Sequence, residues 1–533
     1  MATAAAPASA RPLGRRVPDA LLAALALVVL VAASAYARTR AISGSFWMDE
    51  GLSVGIASHA LLDIPGVLRE DGSPPLYYMG LHLWMKAFGR EETAVHWFSL
   101  LFSLLAIPGA MWAGWSLWGK RAGYIGAVLC AFNPFLTSYG EEARMYSLMA
   151  LLALLATACF LHAFAYRRGR RWAVLFGVLQ ALMLYTHGWG IFFGIGAFLA
   201  LALIWWRSDE RRALAVDGLI GFAIPAVAFL PWVPTLLFQT AHTGAPWGRA
   251  PRFGAPVQIS RDLMGGDRAS IVMLLVGSFG LVTMWSATRE WRDPRRWSVV
   301  ALVLIPVVTL GIAWTLSQIT PAWASRYFAV ALAPLLLLTA LGFARARWLG
   351  LAALAVLVVF WANPKPYVDG YKSSVRDIGA EVGTQLRPGD LVVVGQPEQT
   401  PLAWYYMPGG LRYADAAGPV DDPRHMDWVD ALERYEAAQP REVLPPLLDS
   451  LRPGQKVLFM RPLTEGVENW SAPWTQLARR RSAQFGAILH EAVENGTLRK
   501  LAVSPRFYRG ASTVGNVGIL YEKVGDRPAA QLP

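Results

Sequence analysis

Residues 20–50 read ALLAALALVVLVAASAYARTRAISGSFWMDE, an apolar run closely followed by the adjacent carboxylates Asp49 and Glu50. The run from Ala20 to Ala37 is long enough to span a bilayer. Arg11, Arg15 and Arg16 precede it and small residues end it, which is also the pattern of a secretory leader. Many further apolar runs follow, and the most unusual acids of the chain lie just beyond this one, so a retained first helix is expected. An ionised pair placed just after a span, between Trp47, Met48 and the membrane, is costly unless it engages a cation, a sugar or a proton. The ordinary alternative is a solvated loop pair.

Working outward, ten more apolar runs lie near residues 94–118, 122–137, 145–166, 172–187, 189–206, 214–234, 269–287, 298–317, 327–343 and 348–362. The composition agrees with them: 55% of the 533 residues are hydrophobic and only 16% charged, against about 25% charged in soluble globular chains. The net charge of +12 belongs entirely to the membrane part, because residues 364–533 hold 20 basic and 20 acidic residues. No compact basic patch or nucleic-acid motif accompanies it. With a cytoplasmic N-terminus, the inside segments hold 18 basic residues against 6 acids and the outside segments 11 of each, as the positive-inside rule requires. Cys130 and Cys159 lie inside apolar runs and read as packing residues.

The expected fold class is a polytopic α-helical membrane protein of about 11 transmembrane helices with a C-terminal extracytoplasmic α/β domain. Residues 1–19 form a cytoplasmic tail, 20–362 the transmembrane domain with a long first outer loop at 38–93, and 363–533 the outer domain. That domain is charge-balanced, with strand-like runs at 391–395, 456–461 and 517–522 and a helical stretch at 474–492. Arg387-Pro388-Gly389-Asp390 and Arg452-Pro453-Gly454-Gln455 read as tight turns, and Asn469 and Asn495 as sequons outside the membrane. Residues 59–69 and 76–88 fit amphipathic helices lying along the interface.

Four clusters carry residues suited to chemistry: Asp49-Glu50; Asp71 with Pro74-Pro75-Leu76-Tyr77-Tyr78; Glu141-Glu142-Ala143-Arg144-Met145-Tyr146; and Thr186-His187 together with Arg326-Tyr327 further on. Singly each has a plain explanation: an acid–arginine pair closing a hairpin, a packing histidine, an interface arginine between Trp323 and Tyr327. Together, Asp49, Glu50, Asp71, Glu142, Arg144, His187 and Arg326 come from separate loops that the topology puts on one face. Guanidinium binds phosphate oxygens bidentately, so acids and arginines converging at an interface suggest a site for a lipid phosphate.

In this order and topology, those motifs resemble the membrane glycosyltransferases of the GT-C fold, within them the dolichyl-phosphate-mannose protein mannosyltransferase and lipid A aminoarabinose transferase superfamily and its bacterial members. The resemblance covers roughly residues 20–362. It implies transfer of a sugar from a polyprenyl-phosphate-linked donor to an acceptor protein, glycan or lipid on the outer face, with inversion, by a hexosyl- or pentosyltransferase of the bacterial cytoplasmic membrane. By carry-over, Asp49 is the general base with Glu50 beside it in a catalytic role, and Arg326, Arg144, Asp71, Tyr77, Glu142 and His187 bind the donor. No cofactor is certain; a divalent metal held by Glu50, Asp71, Glu142 and His187 stays open, since the family has members with and without one. The chain departs from the common bacterial pattern at Ser73, where histidine often precedes the two prolines, and at Gly188-Trp189 after the Thr-His. A polytopic transporter of a lipid-linked or anionic substrate is the alternative; it sits less well with charges gathered at one face and the lack of an internal repeat. A scaffold that binds cell-wall material leaves the loop acids and Arg326 without a task.

Overall fold

The computed structural model describes residues 19–288, 290–362, 372–463, 472–505 and 515–525; the N-terminal tail, Arg289 and the Asn469 sequon fall outside them. The helical part runs α1 (Asp19–Arg38), α2 (Met48–Ala57), α3 (Ile64–Asp71), α4 (Leu76–Phe88), α5 (Glu92–Trp118), α6 (Lys120–Phe132), α7 (Pro134–Gly140), α8 (Tyr146–Phe160), α9 (Arg170–Leu184), α10 (Gly190–Arg207), α11 (Arg211–Phe229), α12 (Val233–His242), α13 (Ala255–Met264), α14 (Asp267–Ala287), α15 (Pro294–Leu316), α16 (Ala329–Arg345) and α17 (Arg347–Ala362). Among the described residues, eight helical stretches are long and apolar enough to cross a membrane. They leave Leu25, Val28, Leu219, Leu274 and Val307 bare on their outer faces, surface that only lipid covers without penalty. The chain is a multi-pass integral membrane protein.

Three of the expected spans are short for a straight crossing. α6, α9 and α17 have 13, 15 and 16 residues, where a straight crossing takes about 20. The run at 122–137 breaks at Asn133-Pro134. Proline drives the preceding residue out of the helical region, so Asn133 sits at φ −58°, ψ 126° and its side chain accepts the Leu136 N–H at 3.1 Å, starting α7 afresh. Burial is deepest along α8 and the turn after it, where 94% of the apolar window lies inside the protein.

Between α1 and α5 the chain does not wander. α2, α3 and α4 fold back as short helices; α3 begins at Ile64, later than the expected 59–69 segment, and α4 matches 76–88. α2 was not legible as a helix in the sequence. After α17 come α18 (Val375–Glu381), β1 (Leu391–Val394), α19 (Thr400–Tyr406), β2 (Arg412–Asp415), β3 (Gly418–Val420), α20 (Ala431–Ala437), α21 (Pro440–Asp449), β4 (Lys456–Pro462), α22 (Pro473–Glu494), β5 (Leu498–Val503) and β6 (Asn516–Lys523). They form one six-stranded sheet of order β3-β2-β1-β4-β6-β5. β1 lies parallel to β2 and β4, the other pairs are antiparallel, and the all-apolar β1 is buried throughout, as a central parallel strand must be. β1, β4 and β6 fall on the three expected strands, with Gly389 and Gly454 supplying the positive φ of the turns before β1 and β4.

The carboxy-terminal domain docks on α2. A Cβ on Gly55 would fall 1.9 Å from the Arg424 carbonyl oxygen, and one on Gly51, a turn earlier, 2.8 Å from Leu402 Cα. Residues i and i+4 share a helix face, so these glycines make a smooth strip on which α19 and the 422–425 loop rest.

Candidate functional site

Asp49 and Glu50 occupy the first turn of α2, and the 100° step between consecutive helical residues sends them apart. Glu50 turns inward and is fully buried. Its Oε1 accepts from His96 Nε2 at 2.7 Å, Lys372 Nζ at 2.8 Å and the Ala143 N–H at 2.8 Å, and its Oε2 from the Trp47 N–H at 3.1 Å. Lys372 also donates to the Glu141 carbonyl at 2.6 Å, and His96 Nδ1 to the Ile42 carbonyl at 2.7 Å. Burial opposes the Glu50 charge, but Lys372 and His96 outweigh it and hold the carboxyl well below its ordinary value. Glu50 thus knots the first loop, α5, the 141–145 segment and the start of the carboxy-terminal domain.

Asp49 turns the other way, onto the wall of a cavity of about 520 Å³, within the range of small-molecule sites. Its Oδ2 is buried without a hydrogen-bond partner, 3.5 Å from Arg326 Nη2 and 4.0 Å from Arg144 Nε. Arg144 is aimed by its Nη1, which donates to Tyr78 Oη at 3.2 Å, Ser53 Oγ at 3.3 Å and the Asp49 carbonyl at 3.3 Å. Burial works against its charge, yet Tyr78, Tyr146, Asp49 and Asp71 keep it firmly protonated. Arg326 lies over the rings of Trp247, Tyr327 and Trp47, at 5.4, 5.6 and 5.9 Å from their centroids, geometry suited to cation–π attraction. The Nε atoms of both arginines are buried and make no hydrogen bond, so two cationic donors and one carboxylate oxygen face the same space.

Of the residues singled out in the sequence, Asp49, Asp71, Arg144, His187 and Arg326 line the cavity, and Glu50, Glu142 and Tyr77 do not. Tyr77 is fully buried, its hydroxyl 2.7 Å from Ser99 Oγ, which itself donates to the Arg144 carbonyl at 3.0 Å; Tyr78, its neighbour, is the tyrosine that touches the guanidinium. Burial raises the Asp71 carboxyl against the pull of Arg144. Burial, and then the charge of Glu50, raises that of Glu142, whose Oε1 is buried without a partner. Burial and the charges of Arg144 and Arg326 press His187 down to about 3, so it is neutral at physiological pH. The Trp189 N–H donates to His187 Nδ1 at 3.1 Å, leaving the ring proton on Nε2.

The four residues named for a metal do not fit one. Glu50 has its oxygens committed elsewhere, and His187 presents N–H where a ligand needs a lone pair. Among the described residues, the one trio of histidine, cysteine or acid side chains whose ligand atoms converge is His59, Asp422 and His425. The far wall of the cavity could not be read from the sequence: Gln396, Glu398, Trp428 and Arg479 all come from the carboxy-terminal domain. Glu398 is buried there, accepting from Trp474 Nε1 at 3.0 Å and Gln396 Nε2 at 2.7 Å.

Residues 72–234 match the model of the dolichyl-phosphate-mannose-protein mannosyltransferase family. The fold is similar to that of ArnT from Cupriavidus metallidurans bound to undecaprenyl phosphate, with a TM-score of 0.60 and 14% identity over 94% of this chain and 98% of that one. It is also similar to the arabinofuranosyltransferase AftD from Mycobacteria, at a TM-score of 0.52 and 14% identity over 96% of this chain and 40% of that one. A third likeness is to AglB from Archaeoglobus fulgidus in complex with an inhibitory peptide and a dolichol-phosphate, at a TM-score of 0.50 and 13% identity, covering 93% and 74%. No curated protein sequence matches the chain.

Proposed function

We propose that this GT-C-fold protein, with the mannosyltransferase family match in its first half, moves a sugar from a polyprenyl-phosphate-linked donor to an acceptor hydroxyl of a protein, glycan or lipid. The observation that carries the reading is the buried, unpartnered Asp49 Oδ2 set against Arg326 and Arg144 on one cavity wall. As the acceptor oxygen bonds to the anomeric carbon, the carbon–oxygen bond to the lipid phosphate breaks. Asp49 takes the hydroxyl proton, and the arginines hold the phosphate charge as it leaves. A single displacement, in which the acceptor oxygen enters as the lipid phosphate leaves, gives inversion. Asp71 and the His187 Nε2–H orient sugar hydroxyls, while Glu50 and Tyr77 position Asp49 and Arg144. The lipid phosphates bound in the ArnT and AglB structures support a donor of this class. The charge bias of the loops supports the outer face of a cytoplasmic membrane, with the carboxy-terminal domain outside and its Gln396, Glu398 and Trp428 meeting the acceptor.

The test is binding and turnover of a panel of polyprenyl-phosphate sugars by the purified protein in nanodiscs. Asp49→Asn is expected to bind the wild-type donor and leave it intact; Arg326→Ala to bind it weakly. Normal turnover in Asp49→Asn removes Asp49 as the base. A folded protein that binds neither any such sugar nor polyprenyl phosphate overturns the donor class.

A further inference from the structure

Outside the cavity, the first loop and the carboxy-terminal domain meet at a second cluster of polar side chains. His59 follows the end of α2, and Asp422 and His425 lie in the loop after β3; one ligand atom from each falls within 4.8 Å of the others. The hydrogen bonds around the rings place the proton that each neutral imidazole carries. His59 Nδ1 lies 3.2 Å from the Gly55 carbonyl and 3.0 Å from that of Ile56. A carbonyl only accepts, so Nδ1 carries the proton and a neutral ring has its lone pair on Nε2. That Nε2 faces Asp422 Oδ2 at 2.9 Å, a contact satisfied by a second ring proton or by a bound cation.

His425 shows the same arrangement reversed. Its Nε2 lies 3.1 Å from Glu70 Oε2, an acceptor, and its Nδ1 is buried with no hydrogen-bond partner. A histidine backed by a carboxylate or carbonyl on one nitrogen and free on the other is the common form of a metal-ligating imidazole. We propose that His59 Nε2, Asp422 Oδ2 and His425 Nδ1 bind a divalent transition metal of the zinc type, which ties the first loop to the carboxy-terminal domain. Two imidazoles and one carboxylate suit zinc, with water as the fourth ligand, and exclude the all-oxygen preference of magnesium or calcium. Arg424 now shares Asp422: Nη2 with Oδ2 at 2.6 Å, Nε with Oδ1 at 2.8 Å. Metal entry takes Oδ2 from Nη2 and leaves the Nε contact in place.

The consequence reaches the cavity through the backbone. The Trp428 N–H donates to the Glu70 carbonyl at 3.1 Å, and Trp428 and Asp71, next in chain to Glu70, both line the cavity. The metal holds two walls in register without touching the reacting atoms.

The experiment uses the full chain in detergent, stripped with a chelator and dialysed, then titrated with Zn2+, Co2+ and Mg2+. The expected result is one Zn2+ or Co2+ per chain, visible Co2+ absorption of a four-coordinate nitrogen–oxygen site, no response to Mg2+, and a higher melting temperature with Zn2+. His425→Ala and Asp422→Asn lose the band and the thermal gain, and Glu70→Gln weakens affinity about 10–100-fold. Should wild type show no stoichiometric metal, His59 and Asp422 are a simple imidazolium–carboxylate pair and the proposal fails. It fails equally if the metal remains in both ligand variants, which places it elsewhere. The wild-type titration stands whether or not a variant folds.

Discussion

Replacing Lys372 with methionine tests whether the Glu50 knot holds the site together. Lys372 Nζ donates to Glu50 Oε1 at 2.8 Å and to the Glu141 carbonyl at 2.6 Å, and Glu50 is fully buried. Methionine keeps most of the stem's volume and removes the charge, leaving a carboxylate in the interior with His96 as its remaining side-chain partner. Breaking a buried pair from one side costs about 3–5 kcal/mol. Losing two charge-assisted hydrogen bonds at about 1.5–3 kcal/mol each gives a similar figure. Glu50→Gln in the same background removes the stranded charge, so the double variant is expected to recover about 2 kcal/mol against the sum of the single changes. The pH dependence has a definite sign. Because the folded Glu50 carboxyl lies below its ordinary value of 4.5, its contribution is present above about pH 4.5 and lost as pH falls further. Equilibrium unfolding in mixed micelles, followed by tryptophan fluorescence, measures all three. A Lys372→Met variant within about 1 kcal/mol of wild type, or a cycle additive within about 0.5 kcal/mol, refutes the reasoning.

Three further outcomes are expected. Gly55→Ala drives a Cβ into the Arg424 carbonyl and costs about 1–3 kcal/mol, with lower turnover because α2 carries Asp49. Gly66→Ala in α3, whose Cβ meets nothing within 4 Å, is the control and is neutral or gains up to about 1 kcal/mol; equal losses at both sites would dissolve the docking argument. Arg326→Lys keeps the charge and loses the fork, so donor KM rises at least about ten-fold while a thermal melt stays near wild type; an unchanged KM removes Arg326 from the phosphate. His187 is neutral in the fold down to about 3 against an ordinary 6.5, so it takes away stability as pH falls from about 6.5 towards 3, and His187→Gln flattens that limb in a pH series of melts.

The membrane helices were legible because apolar runs of that length have few alternatives, and the β1, β4 and β6 strands because each is a short apolar run, with turn glycines ahead of β1 and β4. α2 was not, since its glycines and Ser53 lower helix propensity and the helix is held by Glu50 and the domain resting on it. The site was legible as a set of residue types brought to one face. Local sequence says nothing about which of two neighbours faces a cavity: only the resemblance singles out Asp49 over Glu50 as the base, and it names Tyr77 where Tyr78 is the tyrosine that touches Arg144. Lys372, His96, Glu398 and Trp428 enter through contacts remote in sequence that no spacing reveals.

The bond between Lys372 and Glu50 spans 322 positions. All of α1 to α17 is therefore synthesised before the ammonium that neutralises Glu50. Until then the helix bearing Asp49 lacks its anchor and the cavity lacks the wall that Gln396, Glu398 and Trp428 supply. The cavity is therefore assembled only when the last third of the polypeptide has folded against the first loop.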